Sequence, residues 1–171
     1  MEHLWAPWRS SYVRDARRLA AEGCLFCTLA AAPDPRADFV LDRTDETLVV
    51  LNRYPYATGH LMVAPKLHAA SPTEAPAESR AAFYEAVVFS ERVLRDVYRP
   101  DGINVGMNLG EAAGAGVPGH FHMHLVCRWN GDTNFMASVA GTRVHPESLE
   151  ATADKLRPHF ARRSAGEGSA S

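Results

Sequence analysis

Three histidines occupy every second position of one apolar segment, His120-Phe121-His122-Met123-His124-Leu125-Val126. Side chains of an extended strand alternate between its two faces, so the segment predicts a strand with its imidazoles ~6.5–7 Å apart on one face. The apolar side chains would then point to the other face, toward a core. Imidazole changes its charge near neutral pH, and a core strand with three such groups indicates a functional site. The pattern alone leaves two other interpretations open, the polar face of an exposed strand and a plain metal site.

A glycine-rich loop precedes the histidines. Residues 108–119 contain four glycines. Glycine lets the backbone approach a ligand closely, and the N–H groups of such a loop can form a concavity that binds an anion. Alone, a loop of this kind is usually a flexible connection. Beside three histidines it predicts a phosphate cradle with a nucleophile at its rim.

Strand-forming segments dominate the middle of the chain. Residues 46–51 (ETLVVL) and 60–64 (HLMVA) flank a run of turn residues, so residues 39–64 predict an antiparallel meander. Two more strands are predicted near residues 102–108 and 120–128. No internal repeat and no alternating βα pattern accompanies them.

Helical periodicity is clear in the second half of the chain. One stripe at helical spacing, formed by Phe83, Val87, Ser90, Leu94 and Val97, predicts a long helix, which we expect to run from about Ala77 to Tyr98. Residues 146–160 predict a C-terminal helix and residues 15–22 a short one, whereas two prolines mark residues 30–38 as a loop. Strands around one long helix indicate an α+β domain with a mostly antiparallel sheet.

Length and charge restrict the classes of function. The 171 residues fit one domain, which we expect to span residues 1–163 with an aromatic N-terminal arm, followed by a disordered tail over residues 164–171. A net charge of −2 gives no global field to gather nucleic acid or an anionic membrane. No apolar run approaches the ~20 residues that span a bilayer. The N-terminus also lacks the uninterrupted apolar core of a signal peptide, so we expect a cytoplasmic protein.

Cys24 and Cys27 form a Cys-x2-Cys pair in a chain with three cysteines. In a reducing compartment this spacing indicates a metal site or a redox pair rather than a disulfide scaffold. Buried thiols that pack as small apolar groups are a further interpretation.

The three alternating histidines resemble the signature of the histidine triad (HIT) superfamily. Other segments resemble the branch with diadenosine tetraphosphate hydrolases and phosphorylases, namely residues 4–9 (LWAPWR), 23–27 (GCLFC), 51–65 (LNRYPYATGHLMVAP), 106–116 (GMNLGEAAGAG) and 128–136 (RWNGDTNFM). The similarity covers roughly residues 4–160. It implies the HIT-like α+β fold, an antiparallel sheet with one long helix and a C-terminal helix. It also implies a homodimer, since HIT proteins of this kind form homodimers that often join the sheets of two protomers into one.

The resemblance also implies roles for individual residues. His122 would be the nucleophile that attacks the α-phosphorus of a nucleotide and forms a covalent nucleotidyl-histidine. His124 would donate to the phosphate or to the leaving oxygen. Asn52 would contact the ribose, and Asn108 would lie near the phosphates. Backbone amides of the glycine-rich loop would surround the phosphates, at Gly114, Ala115 and Gly116.

Zinc-bearing relatives resemble this chain in a second set of residues, Cys24, Cys27, His68 and His120. Two thiols and two imidazoles form a tetrahedral zinc set, in which His120 would hold the strand that presents His122. A redox pair remains the alternative, although the βαβ context of thioredoxin is absent. Magnesium is expected only on the substrate, because its polyphosphate needs neutralising and no carboxylate cluster in the sequence would hold the ion.

The implied activity is nucleotidyl transfer from a dinucleoside polyphosphate, such as diadenosine tetraphosphate, to water or inorganic phosphate. Many HIT proteins carry Gly-Gln-Ser/Thr where this chain has Gly114-Ala115-Gly116-Val117, so the side chain that touches phosphate or orients water is missing and the acceptor stays open. The same nucleophile would serve a purine nucleoside phosphoramidase or a general nucleotide hydrolase. A nucleotide sensor without turnover and a redox or metal-storage protein are alternatives of other classes. Base preference and polyphosphate length stay open as well.

Overall fold

The computed structural model describes residues 23–34, 39–132 and 147–164, in which three α-helices and five strands form. The helices are α1 (Leu25–Ala31), α2 (Ala77–Tyr98) and α3 (Leu149–Ser164). The strands are β1 (Val40–Arg43), β2 (Thr47–Leu51), β3 (Leu61–Pro65), β4 (Gly102–Gly106) and β5 (Met123–Arg128). Two short 3-10 turns lie at Pro72–Glu74 and Glu111–Ala113.

The five strands form one sheet in the order β1-β2-β3-β5-β4, and every neighbouring pair is antiparallel. This confirms the predicted α+β class and the meander over residues 39–64. The register places Met62 of β3 opposite His124 of β5, while Gly106 of β4 lies opposite His124 on the other side. His124 therefore belongs to a central strand, between two paired neighbours.

The two faces of the sheet carry different cores. On one face, α2 and α3 cover the larger cluster, which includes Phe121, Met123 and Leu125 as the alternation predicts. On the other face, Phe26 and Leu29 of α1 pack on β-strand residues in a smaller cluster, with Val40, Leu48, Val50, Met62 and Ala64. Since alternate strand residues share a face, His124 lies on the α1 side, opposite the long helix.

The two long helices match their sequence patterns. The predicted helix from Ala77 to Tyr98 is confirmed, and its buried stripe contains Phe83, Val87, Ser90 and Leu94. Helix α3 buries Ala153, Leu156 and Phe160 completely. None of the helices in the described part of the chain is long and apolar enough to cross a bilayer.

One boundary differs from the prediction at the histidines themselves. Strand β5 begins at Met123, so His120 and His122 precede it rather than lying within it. The main-chain N–H of His120 donates to the carbonyl of Val117, and that of Phe121 donates to the carbonyl of Ala69. These two amides bond to loops instead of to a neighbouring strand, because the chain turns out of the ladder just before β5.

Helix α1 also differs from the sequence prediction, which placed a loop over residues 30–38. The helix continues to Ala31. Arg43 of β1 explains how this short helix is held, since its Nη1 donates to the carbonyls of Leu29, Ala30 and Ala32 at 3.4, 3.2 and 2.6 Å. The last carbonyls of a helix lack intrahelical hydrogen-bond donors, and here the guanidinium of Arg43 donates to them instead.

Some predicted features lie outside the described residues. These are the aromatic N-terminal arm, the short helix over residues 15–22 and most of the tail. Ser164, predicted as the first tail residue, is the last residue of α3.

The turn before β3 generates a stability prediction. Gly59 has a φ of +75°, and a Cβ there would lie 3.1 Å from the ring of Tyr98. Gly59→Ala should lower the free energy of unfolding by about 2 kcal/mol, because a left-handed backbone and an overpacked contact both oppose the methyl group. Gly102→Ala, with open space around its Cβ, is the control and should change it by less than about 0.5 kcal/mol. Equal effects in urea denaturation would contradict this.

Candidate active site and metal centre

The imidazole of His122 is held in one tautomer. It is buried, with 3% of its surface exposed, and its Nδ1 lies 2.9 Å from the main-chain carbonyl of His120. A carbonyl oxygen can only accept, so Nδ1 carries the proton and Nε2 of the neutral ring keeps its lone pair. Burial lowers the pKa of His122, although the bond to the His120 carbonyl opposes the shift. The ring is therefore neutral at pH 7, with a nucleophilic Nε2.

A chain of hydrogen bonds fixes the tautomer of His124 in the same way. The main-chain N–H of Tyr56 donates to Nδ1 of His60 at 3.0 Å. The Nε2–H of His60 is then the donor in its 3.0 Å contact with Nδ1 of His124. His124 must therefore carry its proton on Nε2. Burial, and then the neighbouring His122, lower the pKa of His124 to about 4, so this ring is also neutral at pH 7.

His60 is a site residue that sequence reasoning missed. Its side chain is 1% exposed and faces His124 from the start of β3. The available signal was alternation along β3, because His60 shares a face with Met62, and Met62 is the register partner of His124. That signal needs the strand pairing, which the sequence does not specify.

Asn52 lies beside His60 at the end of β2. Its main-chain N–H donates to the carbonyl of His60 at 2.9 Å, which extends the β2–β3 pairing by one step. Its side-chain Oδ1 accepts from the N–H of Tyr54 at 2.9 Å, and Nδ2 lies 3.5 Å from Nε2 of His60. The structure thus brings Asn52 to the imidazole chain, while its contact with a ribose stays a prediction.

The glycine-rich loop follows β4. Asn108 lies two residues beyond Gly106, the register partner of His124, and is half-buried. The loop turns through positive φ at Gly110 and Gly114, and the amides of Gly114 and Ala115 donate to the carbonyls of Glu111 and Gly110. Those two amides are engaged within the loop in this conformation. Phosphate binding by the loop, including Gly116, stays a prediction.

The four predicted metal ligands do come together. The Nδ1 of His120 lies 3.2 Å from the Sγ of Cys24 and 3.7 Å from that of Cys27, and the Nδ1 of His68 lies 3.3 Å from the Sγ of Cys27. All four ligand atoms lie within 4.8 Å of one another. A tetrahedral zinc with Zn–S of ~2.3 Å and Zn–N of ~2.0–2.1 Å separates sulfur from nitrogen ligands by about 3.5 Å. The arrangement is therefore compatible with zinc.

A contact behind the ligands supports the same conclusion. The Nε2–H of His120 donates to the carbonyl of Pro65 at 2.8 Å, which leaves the lone pair of Nδ1 on the atom next to the two thiols. Metal-bound histidines typically donate their second ring N–H to such an acceptor. Cys127, by contrast, is fully buried in β5, and burial raises the pKa of its thiol to about 12. It is not in the cluster.

Comparison with known proteins agrees with the fold. The family model of the HIT domain matches residues 36–131, and the chain belongs to the HIT family. It is 34% identical to the protein named AP-4-A phosphorylase of Mycobacterium tuberculosis, across 95% of this chain and 86% of the relative. It is also 34% identical to the protein named Protein hit of Bacillus subtilis, across 82% of this chain and 97% of that protein.

Solved structures include a close match with a metal. A Zn-bound histidine triad family protein from Mycobacterium smegmatis is 28% identical, with a TM-score of 0.66 over 86% of this chain and 99% of that one. A histidine triad nucleotide-binding protein from Sulfolobus tokodaii superposes with a TM-score of 0.68 over 86% of this chain and all of that one, at 24% identity. The second match is evidence for the fold alone.

The lowered pKa of His124 generates a prediction about stability. Unfolded His124 binds a proton near pH 6.5 and the folded residue near pH 4, so the unfolded state binds more protons in this window. The contribution of neutral His124 to the free energy of unfolding is fully present above pH 6.5 and is lost as the pH falls toward 4. The free energy of unfolding should decrease over that range, and the decrease should be smaller in His124→Asn. Urea denaturation at several pH values measures it, and parallel curves for the two proteins would contradict it.

Proposed function

We propose that the protein transfers a nucleotidyl group from a dinucleoside polyphosphate, such as diadenosine tetraphosphate, through a covalent intermediate on His122. The observation that carries the proposal is the 2.9 Å contact of His122 Nδ1 with the His120 carbonyl. It leaves Nε2 unprotonated in a ring whose centroid lies 5.0 Å from that of His124. The name of the 34% identical Mycobacterium tuberculosis relative supports the choice of substrate.

In the first step, Nε2 of His122 attacks the α-phosphorus. An N–P bond forms, and the P–O bond to the leaving nucleoside polyphosphate breaks with its electron pair on oxygen. The imidazole becomes a cation, because Nδ1 keeps its proton. The His120 carbonyl already accepts from that proton, and it stabilises the positive charge that develops there.

His124 supplies a hydrogen bond in this step rather than a proton. Its Nδ1 accepts from His60, so its Nε2–H is left to donate to a phosphate or leaving oxygen. A neutral imidazole cannot lose that proton without becoming an anion, and the pKa of His124, about 4, keeps it neutral. A polyphosphate oxygen leaves as an anion, since its ordinary pKa lies near ~6, and therefore needs no protonation.

In the second step, an acceptor oxygen attacks the phosphorus and the N–P bond breaks, with its electron pair returning to Nε2. We propose inorganic phosphate as the acceptor. Ala115 occupies the loop position where many HIT proteins carry a glutamine, so the chain lacks that side chain for orienting a water. The product is then a nucleoside diphosphate. Asn52 would hold the ribose, and Asn108 with the loop at Gly114 and Gly116 would hold the phosphates.

We also propose that Cys24, Cys27, His68 and His120 hold a structural zinc ion. When bound, zinc would link α1 to the segment before β5 through two thiolates and two imidazoles. Magnesium would enter only with the polyphosphate, because within the described ranges this is the sole cluster of three or more metal-binding side chains. A cytoplasmic homodimer of one domain over residues 1–163 completes the proposal.

Product analysis tests the reaction. Wild-type protein with diadenosine tetraphosphate should form ATP and ADP only when phosphate is present, and His122→Ala should lower the rate by about 10³-fold or more. His159→Ala, on α3 at the opposite face of the sheet, is the control and should keep the wild-type rate. ATP and AMP would instead show water as the acceptor. Two ADP without added phosphate, or turnover without a trapped adduct on His122, would contradict the covalent mechanism.

Metal analysis tests the zinc site independently. We expect about one zinc ion per chain, and Cys27→Ala and His68→Ala should weaken zinc binding at least about 100-fold because each removes a ligand. Cys127→Ala, at a buried thiol outside the cluster, should retain zinc. Unchanged zinc content in the Cys27 and His68 variants, measured by mass spectrometry of the metal, would disprove this assignment.

A further inference from the structure

Phe26 is placed between the two thiols in sequence and between two imidazoles in space. Its side chain is 1% exposed. Its ring centroid lies 5.1 Å from that of His120 and 4.8 Å from that of His122. One phenyl ring therefore contacts both a metal-ligating imidazole and the nucleophile.

The nucleophile needs a second restraint besides its hydrogen bond. The contact of Nδ1 with the His120 carbonyl fixes one atom of the ring, but the ring can still tilt about that contact. The tilt moves Nε2, which lies on the far side of the ring. Phe26 packs on His122 at an interplanar angle of 41°, and His124 lies edge-on to it with centroids 5.0 Å apart. These two rings limit the tilt.

The position of Phe26 depends in turn on the metal cluster. Helix α1 has seven residues, and helices shorter than ~12–15 residues are marginal without tertiary contacts. Arg43 holds its C-terminal end. Its N-terminal end carries Cys24 and Cys27, whose sulfur atoms approach His120 and His68.

We propose that Phe26 is a positioning residue that makes the orientation of His122 depend on the occupancy of the metal cluster. With zinc bound, the first turn of α1 is fixed and Phe26 holds the imidazole with Nε2 ready for attack. Without zinc, the thiols and His68 lose their common anchor and the packing on His122 relaxes. The inference rests on the proposed role of His122 as nucleophile.

Phe26→Leu tests the positioning role, at saturating zinc. It should lower kcat by about 10-fold to 100-fold, as misplacement of a reacting group does, and change KM by less than about threefold. Phe160→Leu removes an equally buried ring from the α2–α3 core and should lower stability without changing kcat. Should Phe26→Leu fail to fold, Phe26→Met, which fills the space without a ring, carries the same expectation. A kcat equal to that of Phe160→Leu would overturn the proposal.

Zinc removal tests the coupling. Chelation should lower kcat by about tenfold or more in the wild type but less than about twofold in Phe26→Leu, because coupled sites give non-additive effects. Equal losses in the two proteins would overturn the coupling. By reciprocity, Phe26→Leu should also weaken zinc binding several-fold, while Phe160→Leu should not.

The imidazole resonances of His122 provide a readout that needs no substrate. In NMR spectra, its ring C–H signal should shift on zinc removal toward its position in zinc-loaded Phe26→Leu. A signal that zinc removal leaves in place would overturn the coupling, whatever the enzyme acts on. If the signal shifts as expected while no dinucleoside polyphosphate is turned over, the proposed function fails and the coupling stands.

Discussion

The arrangement of the site depends on His120, whose ring and main chain have different partners. Its ring donates to the Pro65 carbonyl and faces the two thiols, while its main-chain carbonyl accepts from the ring of His122. The Pro65 carbonyl therefore sets the tautomer of His120, and the carbonyl of His120 sets that of His122. Both settings use main-chain carbonyls, which cannot be protonated and do not change partners by rotation. The chemistry of two neighbouring histidines diverges through backbone geometry alone.

The tautomers of His60 and His124 are also set by the main chain, here by a main-chain N–H donor instead of a carbonyl acceptor. The amide of Tyr56 fixes His60, and His60 fixes His124. Four histidines thus receive defined protonation sites from three main-chain groups. Burial also lowers the pKa of His120, His122 and His124. These rings are therefore neutral at pH 7, and each has one N–H donor and one nitrogen with a lone pair. Each of these rings therefore has one nitrogen that can donate and one that can accept.

Much of this was predictable from the sequence. Periodicity predicted the buried stripe of α2 and the strand alternation around Phe121, Met123 and Leu125, because burial on one face leaves a direct trace in residue types. Family resemblance predicted the cluster of Cys24, Cys27, His68 and His120, which come from three separate segments. The position of His60 and the loop bonds of the His120 and Phe121 amides were not predictable. They depend on strand register and on carbonyls at Val117 and Ala69, and any residue type carries a carbonyl.

The bonds of those two amides have a consequence for protein engineering. Residues 120–128 could be moved into another antiparallel sheet as a sequence of alternating residues, and the ladder of β5 would form. His120 and His122 would lose their geometry, since it comes from the turn at Val117, from Pro65 at the end of β3 and from Ala69 in the segment after it. The smallest portable unit for the hydrogen bonds of these two histidines is therefore residues 65–69 together with residues 117–122, grafted with their spacing intact.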